Sequence, residues 1–402
     1  MRLEQAKAVH TVPRKSAVRL CVITLALLCP LLAPAGASAQ GNDNDSAKQL
    51  ERAATLIGSN QLPEAERLLS QVLKAAPEEA TALNLLGAIR AKQGRLDEAE
   101  TLFSRAVRSD ASMTGAHMNL AHLYLLKREP EKTASELREV LRLEPDNAEA
   151  GYRLAWLLLS QDRVDECINF VEKLKGSQQL SAPLLGVLGE ARLKKGERTA
   201  GVSALKRAIE LSPDVPSYHF VLGIAWLKAP PDLQEAEQSF RQFLKLQPDD
   251  AQGQLHLGYV LLKEKQYAEA RALLERSLQK SSATPEAFYY LGLIAQGQNE
   301  DERAIGLFEK SIQLAPSFAY VHIALGATYL KLKNYTRAQQ ALETGVKLSP
   351  EDSKAHYNLA MLYARLKNPQ RAQEEMRIVE KLKTEGKAQE GEGDIQAPPT
   401  PR

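Results

Sequence analysis

Apolar residues recur along the chain at a fixed spacing of 34 residues, with a single one-residue insertion. When each interval is numbered from 1, position 7 is leucine in nine of ten successive intervals. These leucines are Leu86, Leu120, Leu154, Leu188, Leu222, Leu257, Leu291, Leu325 and Leu359, and Arg52 occupies the position in the first interval. A period of this length predicts a chain built from copies of one small helical unit, each stacked on its neighbours.

Prolines set the boundaries between the units. Position 32 is proline in six of them: Pro77, Pro145, Pro213, Pro248, Pro316 and Pro350. Proline removes a backbone donor and disfavours helix in the residue before it, so it should end the second helix of each unit. The extra residue fits the turn at 229–232, since a loop accepts an insertion at low cost. The predicted units are 46–79, 80–113, 114–147, 148–181, 182–215, 216–250, 251–284, 285–318, 319–352 and 353–386, which we call repeats 1 to 10.

Small residues occupy one position on each helix of the predicted pair. Position 8 is Gly or Ala in every repeat, and position 20 is Ala, Gly, Thr or Cys. Position 24 carries a larger apolar residue, such as Phe103, Phe240 or Phe308. Two antiparallel helices approach closely only where the side chains at their crossing are small. The pattern therefore predicts a tight crossing at positions 8 and 20, with the position 24 side chain beside it.

This pattern resembles the tetratricopeptide repeat (TPR), and the resemblance covers residues 46–386. It implies an all-α fold, a right-handed superhelical α-solenoid of about ten helix–turn–helix units, in which the first helices line a concave groove. The last helix of such an array must tolerate water on one face. We expect Met376, Val379 and Leu382 to face inward there, while the Gly-, Glu- and Pro-containing tail at 387–402 should be disordered.

Candidate binding residues follow from the groove that the resemblance implies. Positions 5 and 9 of a first helix lie four residues apart and therefore share one helical face. The apolar pairs at these positions are Tyr152 and Trp156, Phe220 and Ile224, Leu255 and Tyr259, Tyr289 and Leu293, and Tyr357 and Met361. Such residues supply large contact areas at interfaces, so the set predicts a track for a protein or peptide segment. The alternative is that some of these rings pack between neighbouring first helices and never meet a ligand.

Several recurring polar residues have simpler explanations. Position 13 carries Lys92, Lys194, Lys228, Lys263, Lys331 and Arg365, which could hold acidic groups of a partner or complement the dipole of a helix end. We favour the dipole. Position 4 carries His117, His219, His322 and His356, which indicates packing beside the helix pair rather than a metal site. TPR domains that grip a chaperone's C-terminal carboxylate need Lys at position 5 and Asn at position 9, and neither occurs here.

Charge and motifs exclude several classes of function. Lys and Arg total 52 against 50 Asp and Glu, and without residues 1–39 the totals are 47 and 49. This near balance argues against nucleic acid as a partner. The sequence contains no phosphate-binding loop after a strand pattern, no Gly-x-Ser-x-Gly elbow and no His-Glu-x-x-His motif. We therefore expect no enzymatic activity, no cofactor and no metal, and a buried, unreactive thiol at Cys167.

The first 39 residues have the pattern of an export signal. A basic stretch ends at Arg19, an apolar run follows from Leu20 to Leu32, and Ala37-Ser38-Ala39 precedes Gln40. The run is shorter than the roughly 20 residues that span a bilayer, so cleavage after Ala39 is favoured over an uncleaved inner-membrane anchor. Residues 40–45 would form a linker before the first repeat. The expected location is periplasmic or extracellular, with no stable membrane span after cleavage.

Together these observations predict an exported scaffold or adaptor that binds other proteins through its groove. Resemblance to other exported TPR proteins suggests a role in cell-envelope assembly or secretion. An alternative is a periplasmic solenoid that binds or accompanies the export of a polysaccharide, with the Tyr and Trp rings stacking on sugars.

Overall fold

The computed structural model describes residues 43–175, 180–228, 230–280 and 284–385. The predicted signal peptide and the predicted disordered tail lie outside these residues. The chain divides between Ala191 and Arg192 into two compact units, which we call the N-terminal body and the C-terminal body. Within the described ranges, all regular secondary structure is α-helical, in twenty helices. No helix in these ranges is both long enough and apolar enough to cross a membrane.

The helices alternate between the first and the second helix of each repeat. The first helices are α1 (Asp43–Gly58), α3 (Ala80–Lys92), α5 (Thr114–Leu126), α7 (Ala148–Ser160), α9 (Ala182–Lys195), α11 (Pro216–Leu227), α13 (Ala251–Lys263), α15 (Pro285–Gly297), α17 (Ala319–Lys331) and α19 (Ser353–Arg365). The second helices are α2 (Leu62–Ala75), α4 (Leu96–Ser109), α6 (Pro130–Leu143), α8 (Val164–Lys175), α10 (Arg198–Leu211), α12 (Leu233–Leu246), α14 (Tyr267–Lys280), α16 (Asp301–Leu314), α18 (Tyr335–Leu348) and α20 (Pro369–Thr384).

The helix starts follow the 34-residue register. From α3 to α19, every first helix begins at position 1 of its repeat. The exception is α1, which begins at Asp43, inside the stretch that the sequence suggested as a linker. Side chains of the preceding residue cap several first helices; Asp250 and Asp352, for example, accept hydrogen bonds from backbone N–H groups of α13 and α19.

The turn inside nine of the ten repeats uses a left-handed residue at position 15, and the exception is repeat 6, where the position is Pro230. Gly94 and Gly196 have φ values of 76° and 90° there, where glycine carries no steric penalty. Other repeats place a residue with a Cβ in the same conformation, including Lys333 at a φ of 60°. The turn geometry is therefore set by the repeat as a whole, because residues that disfavour this region are held in it.

The core lies between the first and second helices of each repeat. Phe103, Phe240 and Phe308, all at position 24, are fully buried against the small residues of the first helix. In α20, Val379 and Leu382 are buried as expected, but Met376 is exposed. The expectation for Met376 was wrong because no described helix follows α20 to cover the position 24 side chain. The TPR-type solenoid arrangement of helix pairs is confirmed within each body.

Candidate functional site

The ten predicted groove residues fall into three groups by exposure. Trp156, Tyr357 and Met361 are exposed, with 44%, 48% and 36% of their surface accessible. The half-buried group comprises Tyr152, Phe220, Ile224 and Leu293. The remaining three, Leu255, Tyr259 and Tyr289, are buried and belong to the core of the C-terminal body. The positions thus form an uncovered surface in some repeats and core in others.

Burial of Tyr259 and Tyr289 results from an aromatic cluster in the C-terminal body. Each ring centroid lies 5.4 Å from that of Tyr290, at position 6 of repeat 8. The Tyr289 ring also lies 5.2 Å from Phe318, the residue just before α17. These two tyrosines therefore pack between neighbouring first helices, which is the alternative stated in the sequence analysis. They lack the accessible surface that an anchor for a partner needs.

Phe220 also belongs largely to the core. Its ring centroid lies 5.0 Å from that of Phe243 and 5.2 Å from that of His256. The His256 side chain is fully buried; Nδ1 lies 2.8 Å from the carbonyl oxygen of Gln252, and Nε2 has no partner among the described residues. Burial lowers the pKa of His256 to about 4. The imidazole is therefore a neutral member of the aromatic core at neutral pH.

A pocket in the N-terminal body adjoins the exposed Trp156 ring. It is a small depression, open to solvent, between α5, α6 and α7. The lining includes His122, Leu125, Leu137, Arg153, Trp156 and Leu157. The sequence analysis identified only Trp156 among them. His122 was missed because only apolar residues were considered at position 9. Arg153 was missed because it stands at position 6, and only positions 5 and 9 were considered.

The electrostatics of this pocket are set by one buried cation and one neutral ring. The Arg153 side chain is only 17% exposed, and its Nε donates to Glu149. Burial, followed by the positive charge of Arg153, lowers the pKa of His122 to about 4. Its Nε2 is buried and has no hydrogen-bond partner within the part of the chain that the structure describes. Buried polar atoms without partners are uncommon in folded proteins, so the unpaired Nε2 makes this pocket a candidate ligand site.

Several of the position 13 cations bind elements of the preceding repeat. Lys92 Nζ donates to the carbonyl oxygen of Ile57 at 3.4 Å, near the end of α1. In the C-terminal body, Lys331 Nζ lies 2.9 Å from both Asn299 Oδ1 and Asp301 Oδ1. These contacts favour the interpretation that the cations complement helix ends and turns, since Lys92 and Lys331 already have partners within the chain.

Position 4 histidines link each repeat to the turn before it. Nε2 of His219, His322 and His356 lies 2.8, 2.9 and 3.0 Å from the carbonyl oxygens of Pro213, Pro316 and Pro350. A carbonyl oxygen only accepts, so each ring donates through Nε2. Gln254, at position 4 of repeat 7, makes the same contact with Pro248 O at 2.8 Å. No cluster of three or more metal-binding side chains occurs in the described residues.

Two of these histidines make a second contact. His117 Nδ1 lies 2.7 Å from Glu136 Oε2, and His356 Nδ1 lies 2.6 Å from Glu375 Oε2. In both cases the ring lies between this carboxylate and a carbonyl oxygen of the preceding turn, which for His117 is that of Ala111, 3.3 Å from Nε2. The paired Glu stands at position 23 of the same repeat in both. This contact joins the two helices of a repeat to the turn before them.

Cys167 is fully buried, and its Sγ donates to the carbonyl oxygen of Ala155 at 3.3 Å. Burial, followed by the negative charge of Glu190, raises the pKa of the thiol to about 11. The reactive species is the thiolate, which this environment disfavours. Cys167 thus takes the place of the small residue found at position 20 of the other repeats.

Profiles of the tetratricopeptide repeat family match residues 40–114, 124–190, 187–251, 232–285, 255–317 and 323–381. These matches cover well over half of the sequence, so the chain belongs to the tetratricopeptide repeat family. TPR proteins bind protein partners, and this membership supports a protein-interaction scaffold.

Curated relatives match part of the chain. A stretch of 217 residues is 23% identical to the protein O-mannosyl-transferase TMTC3 of Homo sapiens. This stretch covers 53% of this chain and 20% of that protein. A second stretch, of 198 residues, is 22% identical to the BBSome complex member BBS4 homolog of Drosophila melanogaster. It covers 49% of this chain and 40% of that protein. The chain therefore spans less than half the length of either relative.

A solved structure of similar fold is the C-terminal part of a TPR repeat-containing protein from Cytophaga hutchinsonii. It aligns with a TM-score of 0.50 at 12% identity, covering 60% of this chain and 99% of that chain. The likeness shows the fold alone.

Proposed function

We propose that the chain is an exported, non-enzymatic scaffold that binds a segment of another protein along the first helices of its repeats. The observation that carries this proposal is the set of large apolar side chains left uncovered at positions 5 and 9. Trp156 in the N-terminal body and Tyr357 with Met361 in the C-terminal body occupy these positions with a third or more of their surface accessible. Trp, Tyr and Met are enriched at protein interfaces, where each provides a large contact area.

The C-terminal body offers a second uncovered surface on its last repeat. Tyr357 and Met361 lie one helical turn apart on α19, and Leu366, in the turn that follows, is also exposed. A helix that presents apolar side chains at this spacing suits an extended or helical partner segment. Each body therefore carries its own apolar surface.

Catalysis is not part of this proposal. The match to the O-mannosyl-transferase covers only 20% of that protein, and the TPR repeats account for all the helices described here. No sequence motif of the chain points to a nucleophile or a phosphate site. The proposed role is to hold partners together, in keeping with the solenoid.

Site-specific photo-crosslinking in envelope extracts tests the binding surface. A benzophenone amino acid placed at Tyr357 should crosslink to a partner protein. The same group at Gln340, an exposed residue on second helix α18, is the matched control and should not crosslink to that protein. Crosslinked products that disappear after glycosidase treatment would instead identify a glycan as the ligand. Equal crosslinking from both positions would contradict a defined groove.

Point variants separate binding from stability. Trp156→Ala and Tyr357→Ala should weaken partner binding while helicity is retained, because these side chains contribute little to the core. Leu257 is 2% exposed, and Leu257→Ala should cost about 2–5 kcal/mol of stability. If Trp156→Ala and Tyr357→Ala destabilised the fold as much as Leu257→Ala and left binding intact, the surface assignment would be wrong.

The proposed location follows from the signal pattern at residues 1–39. Intact-mass measurement of the exported protein should find a chain beginning at Gln40. A membrane-bound chain that retains Met1 would instead establish an anchored protein. Roles in secretion, pilus or polysaccharide-export assemblies belong to this proposal only through resemblance to other exported TPR proteins.

A further inference from the structure

We infer that the pocket beside Trp156 binds the carboxylate of a glutamate or aspartate side chain in the partner segment. This inference rests on the proposed function, since it assigns a chemical preference to one part of the same surface. It differs from capture of a free C-terminus, because the residues that carry it are Arg153 and His122, at positions 6 and 9 of consecutive repeats.

The donors that Arg153 leaves unused give the first argument. A guanidinium has five N–H donors, and here Nε is taken by Glu149. Among the described residues Nη1 and Nη2 make no hydrogen bond or ion pair, and neither is counted among the buried atoms without a partner, so both are accessible to a ligand. Arginine prefers planar, two-point contact with a carboxylate, which the two Nη atoms can offer. An arginine held mostly buried with these donors unused is complementary to an acidic group.

His122 supplies a second polar group to the same pocket. Its imidazole makes no hydrogen bond to any described residue, and Nε2 is inaccessible to solvent. The ring is neutral at neutral pH because burial and the neighbouring Arg153 charge disfavour a second cation. A neutral imidazole still has one N–H. In the tautomer protonated at Nε2, and once the side chains that cover this atom move aside, the ring can donate to a carboxylate oxygen without adding a charge to the pocket.

The apolar walls suit the rest of such a side chain. Leu125, Leu137 and Leu157 line the pocket beneath the exposed Trp156 ring. The methylene groups of a glutamate would lie against these walls while its carboxylate reaches Arg153. Glu149 does not block this arrangement, because its side chain is half exposed and engages only Nε. The contact therefore leaves Nη1 and Nη2 available to a second carboxylate.

Selection from a random peptide library tests the preference even while the partner is unidentified. Peptides displayed on phage through their C-termini carry no free terminal carboxylate, so enriched acids must be side chains. The full chain and the variants Arg153→Gln and Arg142→Gln would be compared as baits. Arg142 lies on α6, is well exposed and pairs with Glu139, so Arg142→Gln removes the same charge outside the pocket.

The expected result is that wild type and Arg142→Gln enrich one acidic position next to an apolar one, whereas Arg153→Gln loses only the acidic preference. If no peptide were enriched by any bait, the proposed function itself would fail. Peptide binding with no acidic preference, or with one that Arg153→Gln leaves unchanged, would overturn this inference and leave the proposed function standing.

A double-mutant cycle then measures the contact directly. Replacing the enriched glutamate by glutamine, or Arg153 by Gln, should each reduce affinity by about tenfold or more, and both changes together should reduce it little further. Independent, multiplicative losses would show that the two groups do not meet. Circular dichroism checks the fold of each variant. If Arg153→Gln does not fold, Arg153→Lys replaces it in the cycle. Lysine retains the positive charge but lacks the planar two-point geometry of arginine, so Arg153→Lys should weaken binding of the glutamate peptide more than of the glutamine peptide.

Discussion

A Cβ added to Gly223 would lie 2.7 Å from Cε1 of Phe240. Gly223 stands at position 8 on α11 and Phe240 at position 24 on α12. The Phe240 ring therefore occupies the space that a side chain at position 8 would need. Gly87 and Phe103 repeat the relationship in the N-terminal body, also at 2.7 Å. All three repeats with Phe at position 24 have Gly at position 8, and this pairing has a steric cause.

Replacing Gly223 by Ala should therefore destabilise the C-terminal body although alanine favours helix. The Phe240 ring is fully buried and packs against the rings of Phe220 and His256, which restrict its movement. Overpacking costs about 1–3 kcal/mol, whereas the gain in helix propensity is about 1 kcal/mol, so the net effect should be a loss. Hydrogen exchange in peptides from α11 and α12 measures the change locally, which suits an array whose repeats need not unfold together.

Gly306 provides the matched control for this substitution. It lies inside α16, and a Cβ there would have no atom within 4 Å. Gly306→Ala should stabilise the protein by about 0.5–1 kcal/mol through helix propensity alone. Similar effects of the two substitutions would show that the crossing at Gly223 is looser than the structure indicates.

The periodic part of the fold could be predicted because each repeat presents the same steric problem. Leu257, Gly258 and Ala270 occupy fixed positions, and the helices around them begin where the register places them. The start of α1 at Asp43 was missed because no proline or position 7 leucine marks repeat 1 at that end. Repetition constrains the interior of an array better than its ends.

The exposure of individual groove positions could not be predicted from the period alone. Tyr289 and Trp156 occupy equivalent faces of their helices, yet Tyr289 packs on Tyr290 and Phe318 while Trp156 remains exposed. In the repeat after Trp156, positions 5 and 9 are Gly186 and Glu190, which offer no ring to pack against. Coverage depends on neighbouring repeats, and these differ in the positions that the period leaves free.

The histidine contact to the preceding turn can be tested at His219. His219→Ala should destabilise the protein by about 1 kcal/mol, because the Pro213 carbonyl loses its donor in a mostly buried site. His219→Gln should retain most of the stability, since Gln254 makes the equivalent bond in the next repeat. Urea denaturation of both variants measures the difference. Equal destabilisation by Ala and Gln would mean that the ring's packing, rather than its hydrogen bond, is what matters.

Cys167 should resist thiol reagents in the native protein. Its side chain is inaccessible, and the raised pKa of about 11 keeps the thiol protonated at neutral pH. Labelling with a maleimide should be slow in buffer and complete in denaturant, as followed by intact mass. Rapid labelling of the folded chain would contradict the burial of this residue and reopen a reactive role.

His256 should make the C-terminal body sensitive to acid. Its folded-state pKa is about 4 against an unperturbed 6.5, chiefly because burial disfavours the charged ring; the Gln252 carbonyl and Asp250 act in the opposite direction. Above pH 6.5 the ring is neutral in both states and favours neither. As the pH falls towards 4, the unfolded chain binds a proton that the folded chain does not, so stability falls. The loss attributable to this residue should reach about 3 kcal/mol.

His256→Asn isolates this contribution, because asparagine does not titrate and can still donate a hydrogen bond to the Gln252 carbonyl. Carboxylates elsewhere make both proteins less stable in acid, so the informative quantity is the difference between their unfolding free energies at each pH. That difference should be constant above pH 6.5 and should shift in favour of His256→Asn between pH 6.5 and 4. Gln254→Asn, at an uncharged residue of the same helix, serves as the control and should give a difference that does not change with pH. A difference independent of pH for His256→Asn would mean that the buried ring takes up its proton in the folded state as easily as in the unfolded chain.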